Sequence, residues 1–552
     1  MDRRKFLGRA AVASAGFVAL PALPACTTET RERADLRNKK TGDSTVAPSV
    51  SAFAYEEIPV AELQKRMKSG ALTSRQLTEA YIARMNEIDS AGPSLHAVIE
   101  RNPDALSIAD KMDDERKAGK VRGPMHGIPV LIKDNIDSGD KMQTTAGSLA
   151  LVGTPAPKDA FIVEQLRKAG AVLLGKTNLS EWANFRSSRS TSGWSGRGGL
   201  THNPYVIDRN ACGSSSGTAS AIAASLAAVG IGTETDGSIV CPSSICGLVG
   251  LKPTVGLVSR SGIIPISSSQ DTAGPMGRTV ADVAVLLGVL TGDDPRDAVT
   301  LSSKGHALND YTAALDVNAL KGARIGVARN LAGFHPAVDA AFEKALASLT
   351  AAGAVVVDHL TLPNLGKYDD AETDVLLYEF KDGLNKYLAE RGSTVTIKTL
   401  ADMIAYNQKE SAKEMPWFGQ EMFERAEKKG PLTDPQYKAA RAACLKLVRT
   451  EGLDKLFADN KLDALVAPTN GPAWISDLVN SDRFTGGNSS YAAIAGYPSI
   501  TVPMAYATEL PLGISFMGIA WSEAKLIGYA HAFEQATKVR HAPRFLPTLP
   551  AN

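Results

Sequence analysis

Three short segments of this 552-residue chain combine residue types that suit acyl-transfer chemistry. In the first, residues 127–135, Lys133 directly follows the apolar run Val-Leu-Ile. Such a run is typical of a buried strand, and burial lowers the pKa of a lysine because it disfavours the ammonium form. Lys133 is therefore a candidate general base near pH 7.

Two loops rich in glycine and serine provide hydroxyl groups. Residues 212–217 (CGSSSG) lead into a predicted helix, and residues 232–239 (GTETDGSI) contain Ser238, 24 positions after Ser214. Successive backbone N–H groups in the second loop are suited to an oxyanion hole. The predicted donors are Thr235, Asp236, Gly237 and Ser238. Together with Lys133, the loops provide a candidate base, hydroxyl groups and an oxyanion hole that fit one chemistry.

Three other motif matches are weaker. Residues 170–177 match the phosphate-binding pattern GxxxxGK[ST], but the interior A-V-L-L predicts a buried strand instead of a phosphate loop. Residues 138–141 match S-x-x-K, but Gly-Asp inside the motif starts a helix poorly. Residues 213–217 match the G-x-S-x-G nucleophile elbow with Ser215 at its centre. The polar segment before this elbow disfavours it, because an elbow follows an apolar strand.

The motifs lie among alternating strand and helix patterns. Strands are predicted at residues 130–132, 171–174 and 323–327, and helices at residues 159–169, 216–228 and 336–351. This alternation predicts an α/β fold with a largely parallel or mixed sheet. Asn178 is a candidate cap for a following helix, and the charged residues 407–433 are interpreted as a surface excursion. No linker divides residues 51–552, which we predict to be one domain.

Composition narrows the function further. The chain has 60 Lys+Arg and 59 Asp+Glu, and 44% of it is hydrophobic, as in soluble globular proteins. This charge balance argues against a nucleic-acid-binding protein. Five cysteines without a C-x-x-C pair argue against a disulfide scaffold and a zinc site. The cysteines interpreted as free thiols are Cys212, Cys241, Cys246 and Cys444.

The N-terminus has the pattern of a targeting segment. An Arg-Arg pair at positions 3–4 precedes an uncharged, alanine-rich stretch of sixteen residues, shorter than the ~20 that span a membrane. We predict a twin-arginine-type signal peptide over residues 1–25, a flexible tether over residues 26–50, and a periplasmic or envelope location. Residues 23–26 resemble a lipoprotein cleavage box. Lipidation of Cys26 and simple release are therefore alternatives.

Over residues 55–545, the chain resembles the amidase signature family. The motifs that carry the resemblance are residues 127–135, 212–217, 232–254, 270–275, 492–498 and 512–514. The family pattern G-T-D-x-G-G-S reads G-T-E-T-D-G-S here, so Glu234 and Asp236 replace an aspartate and a glycine. This variant resembles the branch that contains bacterial peptide amidase. The resemblance implies an α/β/α sandwich around a large mixed sheet, amide hydrolysis, and no metal or organic cofactor.

The resemblance also assigns roles to the candidate residues. Ser238 is the expected nucleophile and forms an acyl-enzyme, Ser214 follows a cis peptide bond and relays the proton, and Lys133 accepts it. Asp236 departs from the family pattern, and a carboxylate there repels a developing anion unless it points away. We therefore predict that Asp236 faces the substrate channel and orients a donor group, with Ser215 as a second candidate contact.

The sequence leaves the substrate open. The expected partner is a small-molecule or peptide amide, and the C-terminal amide of a peptide is one candidate. An esterase or aryl-acylamide hydrolase of the same fold is the alternative. A component of a tRNA-dependent amidotransferase works in the cytoplasm, which the export signal disfavours. A periplasmic solute-binding lipoprotein has no use for Lys133, Ser214 and Ser238 together.

Overall fold

The computed structural model describes residues 50–392 and 395–550, and these residues form one compact unit. The predicted signal peptide, Cys26 and the tether up to residue 49 lie outside the described residues. Within the described part, no helix is long and apolar enough to cross a membrane.

The centre of the described unit is one large mixed sheet. The strands are β1 (Val98–Arg101), β2 (Pro129–Lys133), β3 (Val172–Thr177), β4 (Trp194–Ser195), β5 (Gly199–Leu200), β6 (Val229–Glu234), β7 (Val249–Lys252), β8 (Thr272–Gly277), β9 (Arg324–Ala328), β10 (Val355–Leu360), β11 (Ala464–Pro468), β12 (Ser499–Ala507) and β13 (Leu510–Met517). Eleven of them pair in the order β1-β3-β2-β6-β8-β7-β12-β13-β11-β9-β10, and β4 and β5 form a separate pair.

Parallel pairing is confined to two parts of the sheet. β2 runs parallel to both β3 and β6, and β9 runs parallel to both β10 and β11, whereas the remaining pairs are antiparallel. Every residue of β2, β3 and β6 is buried, so both faces of the sheet are covered there. The carboxyl ends of parallel strands meet at one edge, which is where α/β proteins place their ligands.

Helices cover the sheet. Those in the described residues are α1 (Val60–Lys68), α2 (Ser74–Arg84), α3 (Ala105–Lys117), α4 (Phe161–Lys168), α5 (Ser216–Ala223), α6 (Val240–Ile245), α7 (Val280–Leu290), α8 (Pro336–Ala351), α9 (Asp369–Glu390), α10 (Leu400–Lys409), α11 (Ser411–Glu414), α12 (Glu421–Glu427), α13 (Pro435–Leu445), α14 (Asp454–Asn460), α15 (Ser489–Ala495) and α16 (Glu523–Thr537). For example, α7 packs on β8 and α16 packs on β12. The predicted α/β/α fold with a large mixed sheet is confirmed.

Two local predictions are also confirmed. Helix α8 spans the predicted residues 336–351. The motif at residues 170–177 does not form a phosphate loop, because β3 continues through Thr177 and buries Lys176.

Two local predictions are wrong. Asn178 caps no helix: its amide bonds instead with Ser195 Oγ and the carbonyl of Gly199, in the β4–β5 pair. Residues 407–433 are not a surface excursion, because Glu414 is fully buried and accepts the backbone N–H of Leu149 at 2.6 Å. Charge along the segment concealed this inward carboxylate.

Candidate active site

Lys133 ends β2, beside the end of β6. The side chain is fully buried, and Nζ lies 2.7 Å from Ser214 Oγ, 2.9 Å from Thr233 Oγ1 and 3.2 Å from the Thr233 carbonyl. Burial lowers the pKa of Lys133 to about 7, although the negative charges of Glu234 and Asp271 oppose the shift. The amine is therefore available as a base at neutral pH.

Ser214 lies in the loop that leads into α5. The Gly213–Ser214 peptide bond is cis, and the Ser214 side chain is fully buried. The Ser214 carbonyl accepts a hydrogen bond from Ser180 N–H at 3.1 Å. The buried hydroxyl is therefore held beside the Lys133 amine and away from solvent.

Ser238 lies between β6 and α6, in the second glycine- and serine-rich loop. It is 8% exposed, whereas Ser214 is 0% exposed, so Ser238 is the more accessible of the two serines. The Ser238 carbonyl accepts the N–H of Ser215 at 3.2 Å, which joins the two loops. The fold therefore brings the three predicted triad segments to one edge of the sheet.

Four consecutive backbone donors precede α6. Among the described residues, no hydrogen bond is donated by the N–H groups of Thr235, Asp236, Gly237 and Ser238. Gly237 has φ +80°, and a Cβ there would lie 3.0 Å from Ser489 Oγ, so the turn needs glycine. These unused donors have the character required of an oxyanion hole.

The side chain of Glu234 stabilises this turn by hydrogen bonds to the backbone. Its Oε2 accepts the N–H groups of Ile239 at 2.7 Å and Val240 at 3.0 Å, which are the next donors along the chain. Oε1 is buried without a partner in the described structure. Sequence reasoning identified Glu234 only as a departure from a family pattern, because a contact across five residues leaves no periodic signal.

Asp236 is held by the far end of the chain. Its Oδ2 accepts a hydrogen bond from Ser490 Oγ of α15 at 2.7 Å, and its Oδ1 is buried without a partner in the described structure. Burial raises the pKa of Asp236 above its ordinary value, although hydrogen bonds from Ser489 and Ser490 oppose the shift. Sequence reasoning missed Ser490, since 254 residues separate the two.

Ser215 is committed to the backbone. Its hydroxyl donates to the Thr233 carbonyl at 3.1 Å and accepts the Thr233 N–H at 3.2 Å, and the residue is fully buried. The hydroxyl hydrogen is thus already used. The geometry joins the start of α5 to β6 through Ser215 and favours neither the nucleophile elbow nor a substrate contact.

A cavity of about 190 Å³ adjoins the strand ends. Asn135, Thr233 and Thr235 line one part of it, and residues 263–266 (I-I-P-I) supply an aliphatic wall. Lys133, Ser214 and Ser238 are not lining residues, and neither is Asp236, which was predicted to face the substrate channel. Thr233, which bonds to Lys133, connects the cavity with the lysine. Asn135 Oδ1 is buried and unpartnered in the described residues, so it can receive a donor from a bound molecule.

One interpretation of the cysteines is wrong. Cys212 and Cys241 form a disulfide with Cα atoms 6.1 Å apart, whereas Cys246 and Cys444 are free. Cys212 and Cys241 are 29 residues apart, and this spacing does not indicate a pair. The bond exists because β6 returns the chain so that α6 lies beside the loop before α5.

Known proteins share this arrangement. The amidase family model matches residues 76–527. A probable amidase of Arabidopsis thaliana is 43% identical over 90% of this chain and 93% of its own length. One component of the glutamyl-tRNA(Gln) amidotransferase of Chloroflexus aurantiacus is 35% identical over 87% of this chain and 97% of its own.

A solved structure agrees with the sequence comparisons. Native peptide amidase from Stenotrophomonas maltophilia superposes with a TM-score of 0.86 and 53% identity, covering 90% of this chain and all of that one. Family model, relatives and structure agree over most of the chain. The chain therefore belongs to the amidase family and is an amide hydrolase.

Proposed function

We propose that the protein hydrolyses a carboxylic amide through a Ser–cis-Ser–Lys relay with an acyl-enzyme on Ser238. The observation that carries this proposal is the 2.7 Å contact between Lys133 Nζ and Ser214 Oγ in a buried site. A buried lysine whose pKa is about 7 is a base and not a surface charge. The backbone bond from Ser215 to Ser238 supports a relay between the two loops.

The proposed reaction has two halves. Ser238 Oγ attacks the amide carbon while its proton passes to Ser214 Oγ, and the Ser214 proton passes to Lys133 Nζ. The C–N bond then breaks, and the relay runs backwards to protonate the leaving ammonia or amine. Water attacks the acyl-enzyme by the same route and releases the carboxylic acid. Atoms balance as amide plus water to acid plus ammonia or amine.

The backbone turn before α6 stabilises the tetrahedral intermediate in this proposal. Its oxygen carries a negative charge, and the N–H groups at positions 235–238 lack partners among the described residues. Loss of one such donor typically costs about 100- to 1,000-fold in rate.

For the substrate we propose a peptide amide that is cleaved at its C-terminal carboxamide. The support is the 53% identity with a peptide amidase, together with the aliphatic wall at residues 263–266 and the unpaired acceptor Asp236 Oδ1. Asp236 is proposed to accept an N–H of the peptide. The alternative is an ester or an aryl-acylamide as substrate. A matched series of peptide carboxamide, methyl ester and anilide separates the three by kcat/KM.

The proposed location is outside the cytoplasm. The arginine pair and apolar stretch at the N-terminus support export, and so does a disulfide, which persists in oxidising compartments. Fractionation of cells that express the full chain, with N-terminal mapping of the mature protein, tests this. A mature chain that starts with an acylated Cys26 indicates lipidation, and a full-length cytoplasmic chain contradicts export.

Labelling with a fluorophosphonate tests the nucleophile. We expect one adduct, on Ser238, that disappears in Ser238→Ala and in Lys133→Ala. Ser302→Ala is the matched control, since Ser302 is an exposed serine. An adduct on Ser215 contradicts the proposal and supports the elbow instead.

A further inference from the structure

We propose that the Cys212–Cys241 disulfide is a positioning device that holds the proton-relay serine against the nucleophile. This inference rests on the proposed roles of Ser214 and Ser238. The bond joins the residue two positions before Ser214 to the residue three positions after Ser238. The bond therefore links the segment that carries the Ser214 hydroxyl to the segment that carries the Ser238 hydroxyl.

Three hydrogen bonds also join the two loops, and Ser215 takes part in all of them. Among the described residues, residues 212–217 and 235–241 share one backbone hydrogen bond, from Ser215 N–H to the Ser238 carbonyl at 3.2 Å. That hydrogen bond holds the backbone carbonyl of Ser238 and not its hydroxyl. Two more hydrogen bonds join Ser215 Oγ to the carbonyl and the N–H of Thr233, at the β6 end of the second loop. The disulfide is the covalent connection, at the α6 end of that loop.

Neither loop has regular structure that would fix its path. Cys212 has φ +56° and Gly237 has φ +80°, so both chains turn through the left-handed region beside the serines. The backbone of Cys212 is held by Asn210, because the Cys212 N–H donates to Asn210 Oδ1 at 2.7 Å. Cys241 lies in the first turn of α6, and its N–H bonds with the Gly237 carbonyl at 2.8 Å. The disulfide therefore transmits the position of α6 to the Ser214 loop.

A proton relay is sensitive to such positioning. A hydroxyl passes its proton only within hydrogen-bond range, and a displacement of about 1 Å can cost about 100-fold in rate. The Lys133–Ser214 contact does not control the Ser214–Ser238 separation, because Lys133 belongs to β2. Loss of the crosslink is thus expected to affect the chemical step more than substrate binding, which the cavity residues provide.

The cysteines differ in accessibility. Cys212 and Cys241 are 5% and 7% exposed, whereas Cys246 and Cys444 are 0% and 1% exposed. Both residues of the bond are nearly buried, so alkylation of the released thiols is needed to show that a reductant has acted on it. Dithiothreitol supplies the two electrons and two protons, becomes a cyclic disulfide, and leaves two thiols on the protein. Cys444, in α13, provides a matched control cysteine that is remote in sequence from both loops.

The experiment uses the full chain and a peptide carboxamide. After reduction, and in the double variant Cys212→Ser/Cys241→Ser, we expect kcat to fall about 10- to 100-fold with KM changed less than about 2-fold. Reoxidation restores the wild type but not the double variant. Cys444→Ser retains the wild-type kcat and the wild-type response to reductant. Far-UV circular dichroism is recorded on every sample.

Three results overturn the inference. One is an unchanged kcat when alkylation shows that both thiols are released. Another is alkylation of Cys212 and Cys241 without any reductant. The third is a fall in kcat that only follows loss of the far-UV signal, which assigns the bond to stability. Failure of the proposed function looks different: oxidised wild type then gives no fluorophosphonate adduct on Ser238, whereas failure of this inference leaves that adduct at equal rate in both redox states.

Discussion

Lys133 Nζ and Ser214 Oγ lie 2.7 Å apart although 81 residues separate them in the chain. Both side chains are completely buried, so water does not substitute for either group. The contact forms because β2 and β6 are parallel neighbours and α5 starts beside their carboxyl ends. Replacing either residue is therefore expected to remove its proposed role in the relay.

Replacement of Lys133 by methionine is expected to abolish the base while it preserves much of the volume. We expect kcat to fall about 100- to 10,000-fold with little change in KM, because general-base catalysis contributes that much. Lys176→Met is the matched control: Lys176 is also a fully buried lysine at a strand end, but its Nζ bonds with Thr144 Oγ1 at 3.0 Å. The control is expected to lose stability and keep its kcat. Steady-state kinetics that show an active Lys133→Met contradict the relay.

Activity is expected to rise with pH through about 7, because the neutral amine of Lys133 is the reactive form. Below that pH, kcat/KM falls about tenfold per unit as the ammonium accumulates. The charge of Asp271 raises the pKa of Lys133, so Asp271→Asn is expected to move the profile to lower pH. Rates of fluorophosphonate labelling across pH 5–9 measure both effects. A profile that moves upward contradicts the assignment.

Glu234 is expected to act through the turn that it supports. Glu234→Ala leaves the N–H groups of Ile239 and Val240 without their acceptor, which is expected to lower the free energy of unfolding by about 1–3 kcal/mol. The disturbed turn is also expected to lower kcat by about 100-fold, the effect of losing one oxyanion donor. Glu234→Gln retains an acceptor oxygen, so its free energy of unfolding and its kcat are expected to lie close to those of the wild type. Denaturant unfolding and kinetics on the same samples test this, and an alanine variant with unchanged kcat contradicts it.

Asp236 is expected to determine substrate preference. Asp236→Ala removes the acceptor Oδ1 and the bond to Ser490, and we expect about a tenfold higher KM for peptide carboxamides. Asp114→Ala is the control, because Asp114 is an exposed carboxylate in α3. Turnover and preference that remain unchanged in Asp236→Ala would show that this carboxylate does not contact the substrate.

The local features of the site were predictable from short segments. Three apolar residues before Lys133 indicated a buried strand, and strand burial accounts for its lowered pKa. The Gly/Ser loops at residues 212–217 and 232–239 were recognisable because consecutive glycines and serines or threonines predict tight turns that carry hydroxyl groups. The family resemblance added the cis peptide bond before Ser214.

Contacts between distant segments were not predictable. The Cys212–Cys241 bond depends on the position of α6 relative to the loop before α5. The Ser490–Asp236 bond depends on the position of α15, which is 254 residues away in the chain. Glu414 is one of five glutamates in residues 407–433, and nothing in the sequence distinguishes the one that is fully buried. Such contacts are properties of the assembled sheet and not of any local pattern.

The hydrogen bond from Ser490 to Asp236 has a consequence for protein synthesis. Lys133 and both serines are complete once the ribosome has passed residue 238, but α15, which contacts this loop through Ser489 and Ser490, is made about 250 residues later. A nascent chain therefore carries its reactive hydroxyls long before it has the parts that arrange them. We therefore expect hydrolytic competence to appear only after residue 490 has been added, when the chain is nearly finished.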